Sequence, residues 1–156
     1  MKPLSSYLHT VLVVDDERSI FELFTLFLEG EGISLLFCES ADEAFGLLEG
    51  RADRWHGDPR VDLVITDWGL PGRDGLALLE QIRNTAWGAE LPITLMSGSM
   101  NRELMSQVAR TTAESVLRKP LVKALVLSKI REIMGREKPQ AKTSEPASAL
   151  AKRRAA

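Results

Sequence analysis

The chain has 156 residues, 44% of them hydrophobic, with a formal net charge of −2 and a single cysteine. That length suits one domain, and the apolar share is enough to fill one core. Near-neutral charge gives no pull toward a polyanion or a membrane surface, and one cysteine excludes an internal disulfide, as expected of a reducing cytoplasm.

Residues 1 to 9 read as a polar lead-in with no apolar run long enough for a signal peptide or a membrane span. Thr10 to Val14 is a continuous apolar run of the kind that forms a strand covered on both faces, and it ends in Asp15-Asp16. Arg18 to Glu29 has helical spacing, with Ile20, Leu23, Phe24, Phe27 and Leu28 inward, and Gly30-Glu31-Gly32 stops it. Ile33 to Cys38 is the second strand, and its apolar setting makes Cys38 an inert buried thiol. Ser40 and Glu43 form a capping box for a second helix with Ala44, Phe45, Leu47 and Leu48 inward.

Gly50 to Arg60 is a long charged connection, in which Trp55-His56 packs on its own domain rather than anchoring a partner. Neither histidine stands at metal-ligand spacing, so zinc is not expected. Val61 to Thr66 is a short β-branched run, followed by Asp67 and then a loop of turn residues, Pro71, Gly72, Asp74 and Gly75. A carboxylate at the end of a central strand stands where open α/β sheets place their chemistry.

Gly75 to Asn84 is the third helix, with Leu76, Leu79 and Ile82 inward. Ile93 to Met96 is the fourth strand, ending in Ser97. A helix starting near Asn101 carries Leu104, Met105 and Val108. Ser115 to Arg118 is the fifth strand, ending in Lys119-Pro120. The last helix, Leu121 to Met134, turns Val122, Val126, Ile130 and Ile133 inward, and Leu121, Leu125 and Leu127 make a second strip for a partner or a dimer. Alternating strands and helices predict a doubly wound parallel sheet. From residue 137 the composition shifts to five basic and two acidic residues with one leucine and no aromatic, too little to fold alone. The expected division is therefore a domain over 1–136 and a disordered basic tail over 137–156.

Each strand thus delivers a polar group at its end. Asp15-Asp16, the stretch from Asp67 through Pro71 to Asp74-Gly75, Ser97 and Lys119-Pro120 come in this order and at these intervals. Over roughly residues 10 to 135 the chain resembles the receiver domain of bacterial two-component response regulators. The resemblance implies a five-stranded, flavodoxin-like sheet of order 2-1-3-4-5. It implies that Asp67 takes a phosphoryl group from a phosphohistidine of a sensor histidine kinase or phosphotransfer protein, with Ser97 and Lys119 on the phosphoryl oxygens. It implies Mg²⁺ held by Asp16, Asp67 and the Gly69 carbonyl, with Asp15 acting through water. Three clustered carboxylates repel unless a cation lies among them, and hard oxygen ligands suit Mg²⁺.

Two positions depart from the family. Val116 stands where a Tyr or Phe usually precedes the lysine by three residues, and Gly69 gives no side chain to steer an attacking water. An FMN binder is disfavoured, because Asp15-Asp16-Glu17 would repel phosphate without a metal. A haloacid-type phosphatase needs a spaced acid pair, and a serine hydrolase needs a glycine before Met96-Ser97-Gly98 that is missing. The expectation is a cytoplasmic, stand-alone switch between proteins that is neither an enzyme with an external substrate nor a DNA reader, with an unphosphorylated adaptor as the alternative.

Overall fold

A computed structural model describes residues 9–52 and 60–135. Five strands alternate with five helices: β1 (His9–Val14), α1 (Arg18–Phe27), β2 (Ile33–Cys38), α2 (Ala41–Ala52), β3 (Leu63–Asp67), α3 (Gly75–Arg83), β4 (Ile93–Ser97), α4 (Arg102–Ala109), β5 (Ser115–Arg118) and α5 (Lys123–Met134). The strands form one parallel sheet in the order β2-β1-β3-β4-β5. The fold class and strand order are those expected. Every residue of β3 and β4 is buried, which is why these strands read as unbroken apolar runs rather than as alternation.

Alternation still operates within the runs, because successive strand side chains point to opposite faces. Leu12 and Val14 join α2 and α3 through Ala44, Leu48, Leu78 and Ile82. Val11 and Val13 join α1 and α5 through Phe24, Val126, Ile130 and Ile133 on the other face. Cys38 is buried beside the first of these cores, and burial pushes its thiol up to about 11, with the Glu43 charge adding to the rise. At neutral pH that thiol stays protonated and inert.

Several local expectations change. Residues 50 to 52 extend α2 instead of opening the connection, and Trp55-His56 lies outside the described residues, as do 1–8 and the tail. Only half of the capping box forms: the Ser40 hydroxyl accepts from Glu43 N at 3.1 Å, but the Glu43 carboxylate accepts from Glu39 N rather than from Ser40. In α3 the buried stripe is Leu78, Leu79 and Ile82, with Leu76 only half-buried, because the helix is packed from Gly75 onward at steps of three and four. Val122 caps α5 from outside and is 52% exposed. Leu121 and Leu127 are buried, and Leu125 is 63% exposed. The expected strip of Leu121, Leu125 and Leu127 therefore does not exist as a face; Val122 and Leu125 are the exposed pair. On α4, Leu104 is buried and Met105 exposed.

Gly75 fixes how α3 enters. A Cβ built there falls 2.3 Å from the Asp67 carbonyl oxygen and 3.2 Å from the Trp68 Cα, both backbone atoms that cannot swing away. Replacing Gly75 with alanine should therefore cost about 2 kcal/mol or more of stability, within the usual range for overpacking. Urea midpoints of the two proteins check this, and an unchanged midpoint would show that the helix start can slide.

Candidate functional site

The sheet order reverses between β1 and β3, and in open α/β sheets the crevice beyond the carboxyl ends of such strands is the binding position. Here the ends of β1 and β3 present Asp15, Asp16 and Asp67, and β4 and β5 add Ser97 and Lys119. Asp15 is fully buried, Asp67 is 9% exposed, and Asp16 faces solvent. Ligand oxygens of the three carboxylates lie within 4.8 Å of one another.

Lys119 binds the group together. Its Nζ lies 2.8 Å from Asp15 Oδ2 and 2.9 Å from Asp67 Oδ1. The lysine arrives there because Lys119 N donates to Ser97 O at 2.8 Å, prolonging the β4–β5 ladder by one residue. Trp68 N likewise donates to Met96 O at 2.8 Å, and Gly75 N donates to Trp68 O at 3.0 Å, so the loop after Asp67 is held from both sides. Asp74 caps α3 by accepting from Ala77 N.

Electrostatics follow from burial. Desolvation raises the Asp15 carboxyl above its ordinary value; the Lys119 hydrogen bond and the Glu17 amide pull it down without cancelling the rise, and the Asp67 charge adds to it. For Lys119, desolvation works against the charge, but the two carboxylates outweigh it and raise the ammonium's pKa. The lysine is therefore a permanent cation in the site.

Asp16 has no hydrogen bond or ion pair among the described residues, and with Asp15 and Asp67 it leaves oxygen ligands turned to one point. Such a set of hard, anionic donors, only partly neutralised by one lysine, fits a divalent cation of the Mg²⁺ type. Gly69 is exposed beside this point, where a Cβ would stand 3.9 Å from Asp67 Oδ2. Ser97 reaches the site by its backbone, but its hydroxyl donates to Ser99 O at 2.8 Å and accepts from Ser99 N at 3.1 Å. The structure thus brings Asp15, Asp16, Asp67 and Lys119 together, sets Gly69 beside them, and turns Ser97 to its own loop.

Sequence reasoning missed three contributors. The Glu17 amide and the Ser99 backbone act through main-chain atoms and carry no side-chain signal. Gly75 was read as a turn residue at the start of the third helix, not as a backbone contact of Asp67.

An acidic crevice with one lysine at the switch point of this sheet is the arrangement of a receiver. The family model described as response regulator receiver domain matches residues 11–131, and the chain belongs to that family. Among curated relatives, the phosphate regulon transcriptional regulatory protein PhoB of Klebsiella pneumoniae is 28% identical over 131 residues, 84% of this chain and 54% of that protein. The regulatory protein VanRc of Enterococcus gallinarum is 34% identical over 92 residues, 59% of this chain and 36% of that protein. The chain spans about half the length, or less, of these relatives. A response regulator structure from Chloroflexus aurantiacus superposes with a TM-score of 0.70 at 26% identity, covering 82% of this chain and 98% of that one. Chemotaxis protein CheY4 of Vibrio cholerae, at 21% identity and a TM-score of 0.70, shares the fold.

Replacing Lys119 with methionine leaves Asp15 and Asp67 buried without their cation. The lysine is mostly shielded, so the loss at pH 7 should approach that of a broken buried pair, about 2–3 kcal/mol. A carboxyl whose folded pKa is raised costs stability above that pKa and none below the unfolded value near 3.8. Without Lys119 the Asp15 carboxyl rises further, so the deficit should shrink as pH falls from 7 toward 4. Urea titrations of both proteins across that range provide the check, and a deficit independent of pH would refute the pairing.

Proposed function

We propose that this receiver is a phosphorylation-controlled switch in which Asp67 is the phosphoacceptor. The observation that carries the reading is the Lys119 ammonium, 2.9 Å from Asp67 Oδ1 and shared with Asp15, at the open end of the sheet. The donor is a phosphohistidine on a sensor histidine kinase or a phosphotransfer protein. A carboxylate oxygen of Asp67 attacks the phosphorus, an O–P bond forms, and the P–N bond breaks with its electron pair staying on the imidazole nitrogen. Lys119 pairs with a phosphoryl oxygen where it now pairs with Asp67, and Ser97 donates its hydroxyl to another. Asp16, Asp67 and the Gly69 carbonyl would hold a Mg²⁺ ion, with Asp15 behind it, and the ion would supply positive charge to the phosphoryl oxygens. Water later attacks the phosphorus and Asp67 leaves as carboxylate; with glycine at position 69, no side chain there orients that water.

The protein catalyses its own transfer and has no external substrate to turn over. Its output is a change in contacts with a downstream protein. Among the described residues no helix is long and apolar enough to cross a membrane. The protonated, unpaired Cys38 suits a cytoplasmic site of action.

Incubation with acetyl phosphate and Mg²⁺ should add one phosphoryl mass to the wild-type chain. Asp67→Asn should add none, and Asp16→Asn almost none. Labelling that persists in Asp67→Asn would sink the assignment, and no labelling of the wild type would favour a constitutive adaptor.

We further propose that residues 1–136 are the working unit and that the basic tail adds nothing to its stability, since its composition offers no core. Ending the chain after Arg136 should leave the thermal midpoint within about 2 °C and the mass gain intact, because surface changes of this kind stay within ~0.5 kcal/mol. A clear fall in midpoint would mean the tail docks on the domain.

A further inference from the structure

Arg83, the last residue of α3, donates four hydrogen bonds through its guanidinium. NH1 donates to Gly88 O at 2.8 Å and to Leu91 O at 2.6 Å, both in the α3–β4 connection. On the other edge Nε donates to the Thr112 hydroxyl and NH2 to Thr112 O at 3.2 Å, both in the α4–β5 turn. That turn is itself tied down. Thr111 Oγ1 donates to Val108 O and accepts from Ala113 N, and Glu114 N donates to Ile93 O at 2.7 Å. The planar fork of the guanidinium satisfies several carbonyls at once, which a lysine cannot do.

The helix that ends at this clamp is otherwise lightly held. Of the eight residues of α4 only Leu104 is buried, and Met105 is 43% exposed. Its leading end hangs on the loop from Ser97 to Asn101, where the two bonds between the Ser97 hydroxyl and the Ser99 backbone set the loop's course. One hydroxyl cannot keep both Ser99 bonds and also turn to a phosphoryl oxygen on Asp67. Capturing the phosphoryl group therefore undoes the loop at one end of α4 and leaves the Arg83 clamp at the other end untouched.

We propose that Arg83 is the fulcrum of the switch: on phosphorylation α4 swings as a lever about its carboxyl end, which the Arg83–Thr112 clamp holds to α3. The proposal rests on the phosphoacceptor reading of Asp67. Half-buried Val116, on the strand beside β4, is small and stiff at χ1, so little side-chain motion on β5 accompanies the swing. Arg83 is a positioning residue, touching neither the acceptor nor its ligands.

Spin-label pairs measure both ends of the lever. In a Cys38→Ala background, one label goes on exposed Glu49 of α2 and a second on Arg102 or Ala109, the two exposed ends of α4, each introduced by substitution to cysteine. Beryllofluoride with Mg²⁺ should shift the 49–102 distance distribution by several ångströms and leave the 49–109 distribution in place. Equal shifts at both positions would overturn the fulcrum. Without beryllofluoride, Arg83→Gln should broaden the 49–109 distribution and spare the 49–102 one; an unchanged 49–109 width would again overturn it. Should Arg83→Gln fail to fold, Arg83→Lys, which keeps the charge and loses the fork, serves the same comparison. Mass gain at Asp67 is scored on the same preparation, so a phosphorylated protein whose 49–102 distance stays put overturns the lever alone, and the width comparison requires no phosphorylation.

Discussion

Two carboxylates cannot share a buried strand end without a cation, and in this protein that cation is Lys119. Asp15 is fully buried and its charge is expensive there; Asp67 is nearly as deep and adds repulsion to it. The ammonium between them, within 3 Å of each, offsets both costs at once. It also sets demands on the rest of the chain. β5 must be the edge strand beyond β4, and the residue after it must stay on the ladder, as the bond from Lys119 N to Ser97 O ensures. The neutralisation is incomplete, since three carboxylates face one lysine, and the surplus negative charge makes the crevice a place for a divalent metal.

Strand β3 answers the same constraint from the other side. Asp67 is the final residue of β3, so its backbone belongs to a rigid ladder while its side chain stands free of it. The next residue, Trp68, is pinned by Met96 O on one flank and by the first amide of α3 on the other. That second bond needs α3 to pass so close to Asp67 that only a hydrogen fits at position 75. The site is thus built on strand ends and a helix start, elements that hold a geometry more exactingly than a loop does.

Which parts of this were legible in the sequence follows from what each signal depends on. Strand ends were readable because the apolar runs of β1, β3 and β4 are buried and stop at a polar residue; Asp15, Asp67 and Ser97 are each such a stop, whereas Lys119 follows the partly buried β5 and its exposed Arg118. The resemblance then gave their order a meaning that the matches over residues 11–131 support. Helix faces were less readable, because a face depends on where the helix begins. Reading the last helix from Leu121 put Val122 inward. Starting at Lys123 puts Val122 outside the helix and sends Leu127 into the core. Leu76 gave way to Leu78 although α3 starts at Gly75 as read, because Gly75 itself is buried and steps of three and four from it reach Leu78, Leu79 and Ile82. Main-chain partners such as the Glu17 amide leave no trace in a list of side chains at all.

The hydroxyl of Ser97 shows why a correct residue is not yet a mechanism. Its position at the end of β4 follows from the strand, but its direction follows from Ser99, which offers both an amide and a carbonyl. A serine satisfied by its own loop has to be drawn away, and only a strong acceptor competes with two ordinary hydrogen bonds. A phosphoryl oxygen is such an acceptor, because bonds to an ionised group are roughly twice as strong as neutral ones. With Val116 on the neighbouring strand there is no large side chain to fill a space that Ser97 vacates. In the proposed switch the difference between the two states therefore lies in the loop and in α4, a helix with one buried residue, rather than in the packing of β5. In such a fold the strength of the output depends on how freely the leading end of α4 moves and on how firmly its trailing end is held.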